Sequence, residues 1–327
     1  MARATTKLRA GFDAAIGSLA AGMLRLARRF DRKKSANALA AMARRIGPWL
    51  PEQRTGWRNL KNAFPEKSDD EVERILVGVW DNLGRFVADF AHLDRLTVFD
   101  AANPVPADIE YSDEALARFE ALRASPKPAI LFAAHLGNWE LPALMAHRYG
   151  VDAVVLYRRP NLGGVADAAI AIREGAMGDL IPTDRFAPVT LGNALQSGRN
   201  VGMLVDQHHS RGVPITFFGQ PTRANPLLAR LARQLNCAIH GTRIIRLPDN
   251  RFRGELTEPI EPAREADGTI DIAGTMQRVH DVIEGWIREY PEQWLWIHRR
   301  WRPNETMLSK REVIAQRKAQ AESGPGG

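Results

Sequence analysis

One cysteine, Cys237, occurs in 327 residues. That excludes an internal disulfide framework and a cysteine-based metal cluster. Its apolar neighbours mark it as a small buried hydrophobe. The chain has no GxSxG, no P-loop and no HExxH string, which argues against serine hydrolase, nucleotide hydrolase and zinc protease chemistry. The pair His208-His209 lacks a further Cys, His or carboxylate at ligand spacing, so no metal site is expected. Long apolar runs are missing too. The charge-free run Ala14 to Leu24 falls short of the roughly 20 residues a membrane-spanning helix needs. No small-residue cleavage site closes it, so a signal peptide is not expected.

What is present is ordinary globular material: 45% hydrophobic and 25% charged residues, enough for one large core or two smaller ones. The net charge of +7 is unevenly placed. Residues 1–50 carry eleven basic side chains, from Arg3 to Arg45, against Asp13 and Asp31 alone. A basic arm on a near-neutral body points to a polyanion, either nucleic acid or an anionic membrane. Leu8, Phe12, Ile16, Leu19, Met23, Leu26 and Phe30 recur at helical spacing. This favours a basic amphipathic helix lying in the headgroup plane, the alternative being a helix that buries its stripe on the domain.

From Ser68 onwards the pattern is regular. Ser68-Asp69-Asp70-Glu71 is a capping box that opens a helix running to about His92. Before it, 36–64 reads as helix interrupted by Pro48 and Pro51; after it, 93–112 reads as irregular. Helices are then predicted over 113–124, 138–149, 164–177, 187–197, 223–235 and 272–289. Strands are predicted over 128–134, 152–157, 179–182, 200–206, 214–218, 237–246 and 252–260. This alternation defines an α/β fold with a mixed sheet flanked by helices and a helical N-terminal extension. The division expected is a membrane-associating helix over 1–34, a helical extension over 35–112, an α/β domain over 113–302 and a basic to disordered tail over 303–327.

Three predicted strands end in polar constellations: His135 with Glu140, Tyr157-Arg158-Arg159, and Asp206-Gln207-His208. In α/β sheets, sites form at the carboxyl ends of strands. His135-Leu136-Gly137-Asn138-Trp139-Glu140 bridges a buried strand and a helix. Its His is suited to act as a base, with the Glu carboxylate holding one ring nitrogen. Backbone N–H groups near Gly137-Asn138 are candidate oxyanion donors. Arg158 offers a fork for phosphate, against the alternative of a solvated pair with Arg159. Asp206 could orient Arg158 by an ion pair or cap the next turn. Arg223, read as opening a helix, is a possible contact for a phosphate or an acyl carrier. The segment Pro291 to Trp301 interleaves Trp with Arg, which suits a membrane interface or an acidic carrier; Glu292 and Trp294 within it read as structural.

The HxGNWE string after an apolar strand resembles the lysophospholipid-acyltransferase superfamily. More narrowly, it resembles the bacterial lipid A biosynthesis acyltransferases, the lauroyl and myristoyl transferases. Arg58-Asn59-Leu60, Ala63-Phe64-Pro65, Trp80 to Arg85, Tyr157 to Asn161, Asp206-Gln207 with Phe217-Phe218-Gly219, and Pro291 to Trp301 look like that family's further blocks, in its order. The resemblance implies a glycerolipid-acyltransferase-like fold. It implies an HX4E dyad, His135 and Glu140, that activates an acceptor hydroxyl, and substrate contacts from Asn138, Arg158, Asp206 and Arg223. The implied donor is an acyl-acyl carrier protein and the implied acceptor a lipid A precursor. No cofactor, metal or nucleic acid is implied, and the implied location is the cytoplasmic face of the inner membrane, where the protein would be peripheral or monotopic. The alternatives are another phospholipid or glycolipid acceptor, a membrane-binding protein with a dead site, and a nucleic-acid-binding module, which would bind in a salt-sensitive way.

Overall fold

A computed structural model describes Gly22 and residues 26–302, apart from 101, 103–104 and 159–162; at 163–168 it describes the backbone alone. Most of the predicted N-terminal amphipathic stripe, Arg159 to Asn161, and the tail beyond Arg302 lie outside the described residues. Three helices come first: α1 (Arg32–Ile46), α2 (Pro51–Ala63) and α3 (Asp69–Ala91). Each start has a local cause. Asp31 accepts from the Lys34 N–H at 2.9 Å to cap α1. Pro51 occupies the first turn of α2, where its missing donor costs nothing. The predicted capping box opens α3, with Ser68 and Glu71 each accepting from the other's backbone N–H.

Seven strands form one sheet in the order β1 (Ile109–Tyr111), β9 (Phe252–Leu256), β8 (Ala238–Arg246), β2 (Ala129–Ala133), β5 (Asn200–Leu204), β3 (Ala153–Tyr157) and β4 (Asp179–Pro182). From β8 to β4 the pairings are parallel; β8 and β9 are antiparallel, and β1 joins β9 in parallel. The sheet is therefore mixed, as expected. All five residues of β2 are buried, the pattern of a central strand covered on both faces. Leu131 faces a core shared with α4 (Asp113–Ala124) and α5 (Leu141–Arg148), and α6 (Gly163–Glu174) lies on this side through Ile172. Ile130 and Phe132 face the other core, with α7 (Ala187–Gln196), α8 (Leu227–Leu235) and α9 (Ile272–Glu289). Leu60, Phe64, Val72 and Leu76 of the N-terminal helical region join that second core.

The structure departs from expectation in two elements. The segment taken as irregular holds β1, too short at three residues to show a period. Arg223 and Ala224, read as the start of a helix, instead end β7 (Gln220–Ala224), paired antiparallel with β6 (Val213–Phe217), and the helix begins at Leu227. Phe218 and Gly219 both have positive φ and close a two-residue hairpin of the primed type. Pro221 is accommodated within β7 because a two-stranded ribbon leaves it a free edge. The Trp- and Arg-rich closing segment does not offer a membrane face either: Trp294, Trp296, Arg300 and Trp301 are all buried, their rings packed around Phe217 and Phe218. Among the described residues no helix is long and apolar enough to cross a membrane.

Candidate active site

Strand β2 lies beside β5, with Ala133 opposite Leu204. Two residues beyond each strand end, this register brings His135 and Asp206 together. His135 Nδ1 is 2.7 Å from Asp206 Oδ1, and the His135 backbone N–H donates to Asp206 Oδ2 at 2.8 Å. The Trp294 indole N–H donates to the same Oδ2 at 2.7 Å. Asp206 is wholly buried, while the His135 side chain retains 14% exposure. Burial opposes a charge on the imidazole, but the Asp206 charge and hydrogen bond outweigh it and hold the His135 pKa above its ordinary value. Burial also opposes the Asp206 charge, and His135 and the other donors outweigh it, keeping the carboxyl well below its usual range. A carboxylate on Nδ1 leaves Nε2 as the open nitrogen. The Gln207 amide nitrogen is 3.3 Å from it, on an exposed side chain.

The expected partner, Glu140, does not hold His135. Its two carboxylate oxygens are taken by the Arg173 fork at 2.8 and 2.5 Å, and Arg173 in turn lies over the Phe90 ring. The orienting carboxylate is Asp206, because strand pairing delivers it to the ring while the turn into α5 carries Glu140 towards α6. Glu140 acts on His135 only through its charge, a minor upward influence on the imidazole pKa. Asp206 does not pair with Arg158 either, since its oxygens are occupied by His135 and Trp294. Arg158 stands exposed at the rim of the cavity described below.

The closing segment shapes the loop that carries His135. The Gly137 N–H donates to Gln293 O at 2.9 Å, and the Leu295 N–H to His135 O at 3.0 Å. Asn82 of α3 donates to both Gly137 O and Gln293 O. Gly137 has φ of +59°, and a Cβ there would stand 2.0 Å from Ile244 O; only glycine meets both demands. Since the Gly137 N–H is bonded to Gln293, it is not an oxyanion donor. Asn138 also departs from its expected role. Fully buried, its Oδ1 accepts from the Glu140 N–H at 3.2 Å and shapes the turn into α5. Arg223 is likewise buried in β7 and donates to Gly212 O at 2.8 Å; it braces the loop after Asp206 and is not free for substrate.

Beside His135 a cavity of about 370 Å³ opens between the sheet and α5. Leu131, Ala133, Ala146, Val155, Met177 and Leu180 line it. Small residues create the space, and polar groups gather at the His135 end. An apolar cavity with its polar and titratable side chains, among them His135 and Arg158, gathered at one end has room for an alkyl chain whose polar head lies beside His135. His298 approaches from the closing segment, its ring 6.4 Å from that of His135. Burial pushes its pKa down to about 4. Among the described residues no group of three or more His, Cys, Asp or Glu could hold a metal ion.

Sequence reasoning missed Arg173, and it took Trp294 as structural without placing it at Asp206. The signal for Trp294 was the block Pro291 to Trp301; for Arg173, within a helix 33 residues from Glu140, there was none.

A His–carboxylate pair at neighbouring strand ends thus lies over an apolar cavity. Residues 4–303 match the family of bacterial lipid A biosynthesis acyltransferases, and the chain belongs to that family. It is accordingly an acyltransferase of lipid A biosynthesis. No curated protein matches the chain.

Proposed function

We propose that the protein transfers a fatty acyl chain from an acyl carrier protein thioester to a hydroxyl of a lipid A precursor, with His135 as general base. The observation that carries this reading is the Asp206–His135 bond at 2.7 Å at the mouth of the apolar cavity. Asp206 holds the proton on Nδ1. Nε2 then takes the proton of the acceptor hydroxyl as its oxygen attacks the thioester carbonyl. The C–S bond breaks, and the thiolate leaves with little need of an acid. Glu140, fixed by Arg173, adds negative charge that favours the imidazolium as it forms. Arg158, exposed at the cavity rim, meets a phosphate of either substrate in this reading.

Mass spectrometry of lipid A from a deletion strain and its complement tests the reading. The complemented strain should regain one acyl chain on lipid A that the deletion lacks. Identical lipid A in both strains would overturn the acceptor assignment. The same measurement reads the cavity. Gly202 lines it, and a Cβ there meets the Val155 methyl at 3.5 Å and the Val154 carbonyl oxygen at 4.0 Å, both ordinary contacts. Gly202→Leu would therefore fill apolar space without a backbone clash. It is expected to shorten the transferred chain by about two carbons, since each CH₂ that no longer fits forfeits about 0.8 kcal/mol of burial. An unchanged chain length would place the acyl group elsewhere.

Membrane attachment is proposed to be peripheral, on the cytoplasmic face of the inner membrane. Met42, Ile46 and Trp49 share one side of α1 and the turn after it, at 43%, 50% and 88% exposure. Trp is suited to the headgroup layer. Two arginines counted in the basic arm serve the fold instead: Arg28 pairs with Asp94, and Arg32 with Asp89 and Asp108. A truncation should therefore stop before them. Deleting residues 1–24 is expected to shift the protein towards the soluble fraction, and high salt alone to extract the full-length chain only in part. A truncated protein that sediments with membranes as fully as the intact one would assign the anchor to the Trp49 patch.

A further inference from the structure

A second, larger recess of about 770 Å³ lies between α7 and α8, on the opposite side of the sheet from the apolar cavity. The two meet, because Leu156, Thr183, His209 and Asn225 line both. Their character differs. Three guanidiniums, Arg185, Arg211 and Arg230, line the recess, and Asp184 is the only carboxylate among the described residues lining it. Asp184 is already engaged, accepting from the Phe186 and Ala187 N–H groups at 2.8 and 2.9 Å to start α7. None of the three arginines has a carboxylate partner among the described residues, although the fold pairs arginine freely elsewhere, as Arg199 with Asp152 and Asp179. Arg185 rests on the Phe186 ring, 4.6 Å from its centroid. The fields of Arg211 and Arg230 reach His209, where they add to burial in lowering its pKa. Three unpaired guanidiniums in one concave wall raise the local concentration of an anion and match phosphate oxygens two at a time.

We propose that this recess seats a phosphate of the acceptor's sugar headgroup, gripped by Arg185, Arg211 and Arg230. The proposal rests on the acyl-transfer reading above and adds how the two substrates share the site. The acyl chain occupies the apolar cavity on the α5 side. The headgroup enters from the α7–α8 side, and the acceptor hydroxyl reaches His135 Nε2 where the two spaces join. The thin arm of a carrier protein also bears a phosphate, but a recess of this breadth fits a sugar better than a single extended chain.

Steady-state kinetics of the full-length protein test the assignment, using a glycolipid acceptor bearing phosphate monoesters and the same acceptor after phosphatase treatment. Arg211→Ala and Arg230→Ala are each expected to raise the KM for the phosphorylated acceptor by about 10-fold, the scale of one lost charge-assisted hydrogen bond. The KM for the acyl donor should hold. Phosphatase treatment should raise the wild-type KM, and the variants should suffer less from that treatment than the wild type does. Arg230→Lys, which keeps the charge and loses the fork, should fall between wild type and Arg230→Ala. An unchanged KM for the phosphorylated acceptor would overturn the assignment. So would a rise in donor KM instead, which would give the recess to the carrier protein or its arm. If the wild-type protein acylates neither glycolipid, the acyl-transfer reading fails and takes the proposal with it. Normal wild-type transfer with indifferent variants would sink the recess alone.

Discussion

Asp206→Asn is expected to lower kcat by about 100-fold or more, the scale of losing a general base, and to do so through the imidazole tautomer. Oδ2 of Asp206 accepts two N–H donors, from the His135 backbone and from Trp294, while Oδ1 faces His135 Nδ1. An asparagine must keep its oxygen on the two donors. Its NH2 group then points at Nδ1, which has to accept, so the ring proton moves to Nε2 and the base is lost. The pH profile carries a second signature. In the wild type, activity should rise with pH through a midpoint above the usual histidine value of about 6.5, because Asp206 stabilises the imidazolium and only the neutral ring can take a proton. In Asp206→Asn that stabilisation is gone while burial remains, so the midpoint of any residual activity should move down. His135→Ala should be at least as damaging. Glu140→Gln should cost less than either, since Glu140 binds Arg173 and not the ring. The decisive comparison is between the two carboxylates. If Glu140→Gln matched His135→Ala in loss while Asp206→Asn stayed near wild type, the orienting role would return to Glu140.

That comparison also marks where the sequence stopped being legible. The existence of His135, its place at the end of a buried strand and the cluster at Asp206 could all be read along the chain. Which carboxylate meets the ring could not, because it depends on β5 inserting between β2 and β3, and strand order is not written locally. Spacing favoured Glu140, five residues away; register chose Asp206, 71 residues away. Arg223 failed for a related reason. Its segment carries a proline and a polar run, and only the turn at Phe218-Gly219 reveals a hairpin that turns its side chain inward. The helices, by contrast, announced themselves through caps and periods that act over a few residues, and α4 and α9 fall on their predicted bounds. The Trp-rich closing segment was conspicuous in sequence but ambiguous in meaning, since interleaved Trp and Arg suit a membrane, a carrier or a core. Burial decides for the core: Trp294 reaches Asp206, and Gln293 ties the His135 loop to β8 through Arg246.

The largest expected loss of stability is at Asp89, far from the chemistry. Its side chain has no exposure and stands between two guanidiniums: Arg32 at 2.9 Å from α1 and Arg246 at 2.7 Å from β8. Arg246 is itself buried and donates to Asn82 Oδ1 at 2.8 Å, and Asn82 donates to Gly137 O. One carboxylate thus ties the N-terminal helix to the sheet and, through Arg246 and Asn82, to the loop that carries His135. Asp89→Ala removes the anion, leaving the buried Arg246 without a carboxylate and the partly buried Arg32 with Asp108 alone. Removing one partner of a buried pair costs about 3–5 kcal/mol, a large share of the roughly 5–15 kcal/mol that holds a typical protein folded. The thermal midpoint should therefore fall by about 5 °C, since an unfolding entropy of about 2 cal/mol/K per residue gives a chain of this length a shift of about 1.5 °C per kcal/mol. Arg123→Ala, which breaks an exposed pair with Glu120 within one helix, should leave the midpoint in place. Circular dichroism melts of the two variants beside the wild type decide the matter. An Asp89→Ala protein that melts with the wild type would mean that Arg246 finds another partner and that Asp108 and apolar packing suffice to hold Arg32 and the helical region to the sheet.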